Sequence, residues 1–194
     1  SAMYLMSTDG YVKASTCWNS VGGQHGTHCA STAAGSRYGV AKKATVVPVQ
    51  VLECLSNGML GYTSWILAGM DWVVTHDAAH RAALTGAEPP GANRAVVSMS
   101  LIYTAANSVS LFTPAVAKLT AAGIPVIAAV GNDNQDAKDS SPANVEGAYA
   151  VGALAYSKPL MSPTQDSKWT AKSGSGSNYG ATVDLFAPGD DILA

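Results

Sequence analysis

The residues best suited to chemistry lie in one short stretch, Gln24-His25-Gly26-Thr27-His28-Cys29-Ala30. An imidazole changes protonation near neutral pH, so it can pass a proton between partners. His25 is followed by small residues and an Ala/Ser/Thr-rich run to Ala34. That pattern suits a helix N-terminus holding the ring over a cleft, and Gly26 lets a substrate backbone come close. A histidine in such a run is also common as a plain core or surface residue, and the stretch alone does not choose. His25 and His28 are three apart and can share a helix face, but no acid follows at the HExxH spacing of a zinc protease. Cys17, Cys29 and Cys54 are odd in number, so at least one thiol is free. A Cys17–Cys54 disulfide stays open, because sequence does not give its geometry. The absence of CxxC spacing argues against zinc.

The elements that must position these residues alternate between strand and helix patterns, which points to a parallel α/β sheet. Residues 45–52 (TVVPVQVL) are apolar and β-branched and read as a strand. Residues 62–76 show helical spacing through Ile66, Leu67, Met70, Val73 and Val74. Residues 95–101 read as a buried strand, and 112–122 as a helix capped by Gly123. Strands are expected at 124–130, 148–154 and 182–187. Residues 87–93 hold Pro89-Pro90-Gly91 and read as a turn or surface loop. The polar segment 131–144 follows a strand, the position where open α/β sheets bind ligands. The run 173–178 (SGSGSN) reads as a flexible or tightly turned loop. It is not a phosphate loop, since no Lys follows.

Composition excludes several classes. The apolar fraction is 47%, which excludes disorder by composition. Net charge is −2 and no basic stripe stands out, so nucleic acid is not an expected partner. No apolar run reaches membrane-span length, so no membrane partner is expected. No secretory signal is visible, and Ser1-Ala2-Met3 reads as a cloning remnant. Residues 1–9 are therefore set apart as a tag or poorly ordered segment, with one domain over 10–194.

The blocks along the chain resemble, in order, those of subtilisin-like serine proteases (subtilases) of the proteinase K type. His25-Gly26-Thr27-His28-Cys29-Ala30 is similar to the family's histidine block. Gly39-Val40-Ala41, Ala68-Gly69-Met70-Asp71, Ser98-Met99-Ser100-Leu101, Gly131-Asn132, Ser141-Pro142-Ala143, Val151-Gly152-Ala153, Ser177-Asn178-Tyr179-Gly180 and Asp184 to Gly189 follow. The resemblance implies an α/β subtilisin-like parallel sheet flanked by helices, incomplete at both termini. It implies His25 as general base and Asn132 as a donor into the oxyanion hole. It implies Ser100-Leu101 and the region of Gly61 as edges that bind an extended peptide by strand addition. It also implies Ala129, Val130 and Gly131 as the lining of the main specificity pocket. Asp184, with backbone carbonyls of Glu146 and Ala148, corresponds to a calcium site, and hard oxygens suit that ion. Secretion is implied by the resemblance alone.

Three departures shape the functional expectation. The family's Asp stands about 30 residues before its His. Only Asp9 is available ahead of His25, and no apolar strand is read as leading to it. A Gly-Thr-Ser-Met nucleophile block is not found, the chain ending five residues after Gly189. The glycines that leave room for substrate give way to Ile102, Tyr103 and Thr104, and Val130 replaces a smaller residue. The expectation is a non-proteolytic homologue that binds a peptide or protein, such as a protease inhibitor or prodomain. The alternative is an active endopeptidase whose remaining segments lie elsewhere. A missing central N-terminal strand and a missing C-terminal part with the nucleophile's helix further predict self-association or a rearranged sheet.

Overall fold

A computed structural model describes residues 2–7, 25–55, 58–83, 95–105, 108–154, 176–189 and 192–194. The chain divides into two compact units, Ser1–Ser100 with Lys118–Pro125 and Ala194, and Leu101–Ala117 with Val126–Leu193.

The first unit is built on three parallel strands in the order β2 (Thr45–Gln50), β1 (Ala2–Ser7), β5 (Ala95–Met99). Strand β1 corrects the sequence reading. Residues 2–7, set apart as part of a tag or poorly ordered segment, form the middle strand, pairing Ala2–Ser7 with Thr45–Gln50 and Ala2–Met6 with Ala95–Met99. The premise that a central N-terminal strand is missing therefore falls. Met3, Tyr4 and Met6 are all buried, as expected of a strand covered on both faces. Pro48 lacks an N–H and sits in β2 at the end of the order, where a sheet tolerates it.

Helix α1 (His25–Ala34) begins and ends where the sequence pattern placed it and packs on β1 and β2. A short antiparallel hairpin follows β2, made of β3 (Glu53–Leu55) and β4 (Gly58–Leu60). Helix α2 (Thr63–Ala83) runs about two turns beyond the expected 62–76 and buries Ile66, Gly69, Met70, Val73 and Asp77. Gly69 is required there: a Cβ would lie 2.6 Å from Val51 Cγ1 and 2.8 Å from Met6 Cε. Tyr4 hydroxyl bonds His76 Nδ1 at 2.9 Å, tying α2 to β1. Asp77, 1% exposed, has Arg81 Nη2 at 2.6 Å as an ion pair without hydrogen-bond alignment.

The second unit carries the parallel strands β7 (Val126–Ala129), β9 (Ala148–Leu154) and β10 (Leu185–Pro188), with β9 between the others. A two-residue antiparallel ladder joins β6 (Tyr103–Thr104) to β8 (Ser140–Ser141). Helix α3 (Ser108–Ala121) contributes buried Phe112 and Val116 to this unit. It stops where Gly123 adopts φ +75°, with Gly123 N–H donating to Thr120 O and Ile124 N–H to Leu119 O. This is the left-handed glycine ending the sequence predicts.

Candidate functional site

The residues singled out by sequence fall in both units, and the structure gives each its local setting. In the first unit, α1 opens at His25. Its Nε2 donates to the carbonyl oxygen of Ser100, just past β5, at 2.9 Å. A carbonyl only accepts, so this nitrogen carries the proton. Cys29 Sγ, one turn along α1, lies 3.9 Å from the same Nε2. Cys29 is a free thiol. Burial pushes its pKa up, but hydrogen bonds from His25 and Ser100 and the charge of His25 outweigh that, and the net direction is down. An N–H aimed at sulfur stabilises the thiolate, which is the physical cause. Gly61, ahead of α2, has no room for a side chain: a Cβ would lie 2.1 Å from Leu52 Cδ2 and 3.3 Å from Val51 O.

In the second unit, β7 delivers Ala129, buried Val130 and Gly131 to the start of the polar segment 131–144. Gly131 takes φ +100°, a conformation that favours glycine. Asn132 and Asp133 that follow are exposed. The crowding foreseen from Ile102 and Tyr103 divides between them. Ile102 Cδ1 reaches to 2.8 Å from where a Gly131 Cβ would stand. Tyr103 instead joins β6, its ring tilted against Phe112 at 6.4 Å between centroids. Leu101, beside Ile102, is buried.

The proposed cation donors share this unit. Asp184 is exposed, and its Oδ2 accepts from Ala150 N–H at 2.7 Å while Asp184 N–H donates to Ala150 O. Glu146 lies in the turn before β9, and Ala148 opens that strand. Carboxylate and carbonyl oxygens are the class of donor that calcium takes. Among the described residues no group of three or more His, Cys, Asp or Glu gathers to hold a metal by side chains.

The run 173–178 differs from a flexible loop in its described part. Gly176 bridges Asp133, and Ser177 and Asn178 are buried. In the sequence Asn178 is marked only as part of the Ser177-Asn178-Tyr179-Gly180 block. Its contacts join positions more than forty residues apart, which no local pattern announces. Asp9, Cys17, residues 87–93 and 173–175 lie outside the described residues, as does the Cys54 side chain.

Residues 11–193 match the profile of the subtilase family, and the chain belongs to that family. It is 40% identical over 196 residues to a cuticle-degrading serine protease of Arthrobotrys oligospora, covering 98% of this chain and 40% of that protein. It is 38% identical over 189 residues to subtilisin-like protease 1 of Arthroderma otae, covering 97% and 32%. The chain thus spans two fifths or less of the length of these curated relatives. Among solved structures, a cold adapted subtilisin-like serine proteinase superposes with a TM-score of 0.66 at 29% identity, covering 98% of this chain and 63% of that one. The expected fold, a subtilisin-like parallel sheet flanked by helices, is borne out.

Proposed function

We propose that this chain is a non-proteolytic member of the subtilase family that binds extended peptide segments without cleaving them. The observation that carries the reading is the hydrogen bond from His25 Nε2 to Ser100 O. A general base must present an unprotonated nitrogen to its nucleophile. Here that nitrogen carries hydrogen and faces an acceptor. A second support is the sequence: among residues 1–24 Asp9 is the only acid, and no Asp-Thr-Gly occurs there.

In this reading Ser100 and Gly61 of the first unit present backbone to a peptide; in the second unit Leu101 does the same, Asn132 donates to a peptide carbonyl, and Ala129, Val130 and Gly131 form the wall beside it. Ile102 beside Gly131 restricts that wall to a small side chain. Asp184 with the carbonyls of Glu146 and Ala148 holds calcium as a structural ion. The natural ligand is a prodomain-like or inhibitor-like segment, or another protein, and the setting is extracellular. Self-association is part of the reading; the exposed Tyr62, Trp65 and Trp72 of the α2 region support it. Turnover of a chromogenic peptide tests the reading: none is expected, and turnover abolished by His25→Ala overturns it.

The alternative is an active serine endopeptidase completed by segments outside these 194 residues. One observation favours it: the relatives are named serine proteases, and the chain spans only part of each.

A further inference from the structure

We infer that Asn178 is the positioning residue for Asn132, fixing the loop that carries it from both sides. This rests on the reading of Asn132 as a donor to a peptide carbonyl; the placement of the loop itself rests on geometry alone.

The loop from Val130 to Gln135 leaves β7 through unusual backbone. Gly131 has φ +100° and Asn134 φ 53°. Left-handed positions persist only where surroundings over-determine them. Asn178 supplies much of that determination. Its side chain is 0% exposed. Nδ2 donates to Val130 O at 2.9 Å, with Ser140 Oγ at 3.4 Å. Oδ1 accepts from Asp133 N–H at 2.9 Å and Gln135 N–H at 3.1 Å. The amide orientation follows from these partners, since the reverse would set NH₂ against two N–H groups. One carboxamide thereby satisfies a carbonyl and two amides in a segment without a regular ladder.

The main chain adds to the clamp. Asn178 N–H donates to Gly131 O at 2.9 Å, Gly176 N–H to Asn132 O at 3.2 Å, and Asn134 N–H to Gly176 O at 2.9 Å. Asn132 therefore sits between two tied neighbours, its carbonyl held and its side chain exposed. The approach is close enough to dictate sequence: a Cβ on Gly131 would lie 2.6 Å from Asn178 Nδ2. A donor aimed at a carbonyl works only if pre-organised, and Asn178 provides that organisation from 46 positions away in sequence.

The test is amide hydrogen exchange by NMR on the full chain, wild type against Asn178→Leu and Asn178→Asp. Leucine keeps volume and removes every polar contact. Aspartate keeps the acceptor for both amides. In Asn178→Leu, exchange at Asp133 and Gln135 is expected to rise at least about tenfold, and the Asn132 side-chain NH₂ resonance to shift. Asn178→Asp keeps the acceptor but loses the donor to Val130 O, so it is expected to restore protection at Asp133 and Gln135 only in part. Affinity for a succinyl-tetraalanine anilide is expected to fall in Asn178→Leu but not to fall further when Asn132→Ala is already present. Unchanged exchange in Asn178→Leu, or losses that simply add, overturns the assignment. If Asn178→Leu does not fold, wild-type exchange decides: unprotected Asp133 and Gln135 amides overturn it, and protected ones restored in part in Asn178→Asp support it. Failure of the wild type to bind the peptide sinks the binding reading, while the exchange result still decides the clamp.

Discussion

His25 Nε2 lies 2.9 Å from the carbonyl oxygen of Ser100, and Cys29 Sγ stands 3.9 Å from the same nitrogen. One N–H is shared between an oxygen and a sulfur. A nitrogen so engaged is a donor, and its neighbour sulfur is pushed toward the thiolate. On the proposed reading, this donor role is what keeps His25 from acting as a general base.

The thiol gives a direct reading of this arrangement. Its pKa lies below the ordinary value of 9.0, because hydrogen bonds and charge from His25 and Ser100 outweigh burial. Cys29 is therefore expected to react with iodoacetamide at pH 7 faster than an ordinary cysteine, and His25→Ala to slow it. Peptide mass spectrometry on the Cys29 fragment measures both rates. A folded value below the unfolded one means a stabilising contribution that is full above the unfolded value. It is lost as pH falls through the folded value.

Gly69→Ala probes the seat of α2 on β1. The new methyl meets Val51 and Met6 at under 3 Å, so overpacking of about 1–3 kcal/mol is expected. Urea unfolding checks it; an unchanged midpoint would contradict the packing described.

Asp184 separates two contributions. Loss of its bond to Ala150 N–H in Asp184→Ala is expected to cost about 1–2 kcal/mol in chelator. Calcium is expected to raise the melting temperature of the wild type and not of the variant. No calcium response in the wild type would remove the ion from the account.

Much of this fold is legible in the sequence, for physical reasons. α1 and β9 match their expected limits, because a small-residue helix and an apolar run of seven have clear patterns. β1 escapes because Met3, Tyr4, Leu5 and Met6 are not β-branched and lie at the chain start, where they pass for a tag. β6 and β8, at two residues each, are too short for any period to show. Strands β3 and β4, at three residues each, are likewise too short for a period to show. His25 and Asn132 are marked in the sequence by their flanking motifs. The bond to Ser100 and the Asn178 clamp are long-range and appear only in the fold.

The central claim is tested most directly by the intact mass of the chain after a fluorophosphonate probe, which labels only activated serines. The account predicts a single unlabelled mass matching the 194 residues. A phosphonylated species, lost in His25→Ala, would contradict it and make the chain part of a working serine protease.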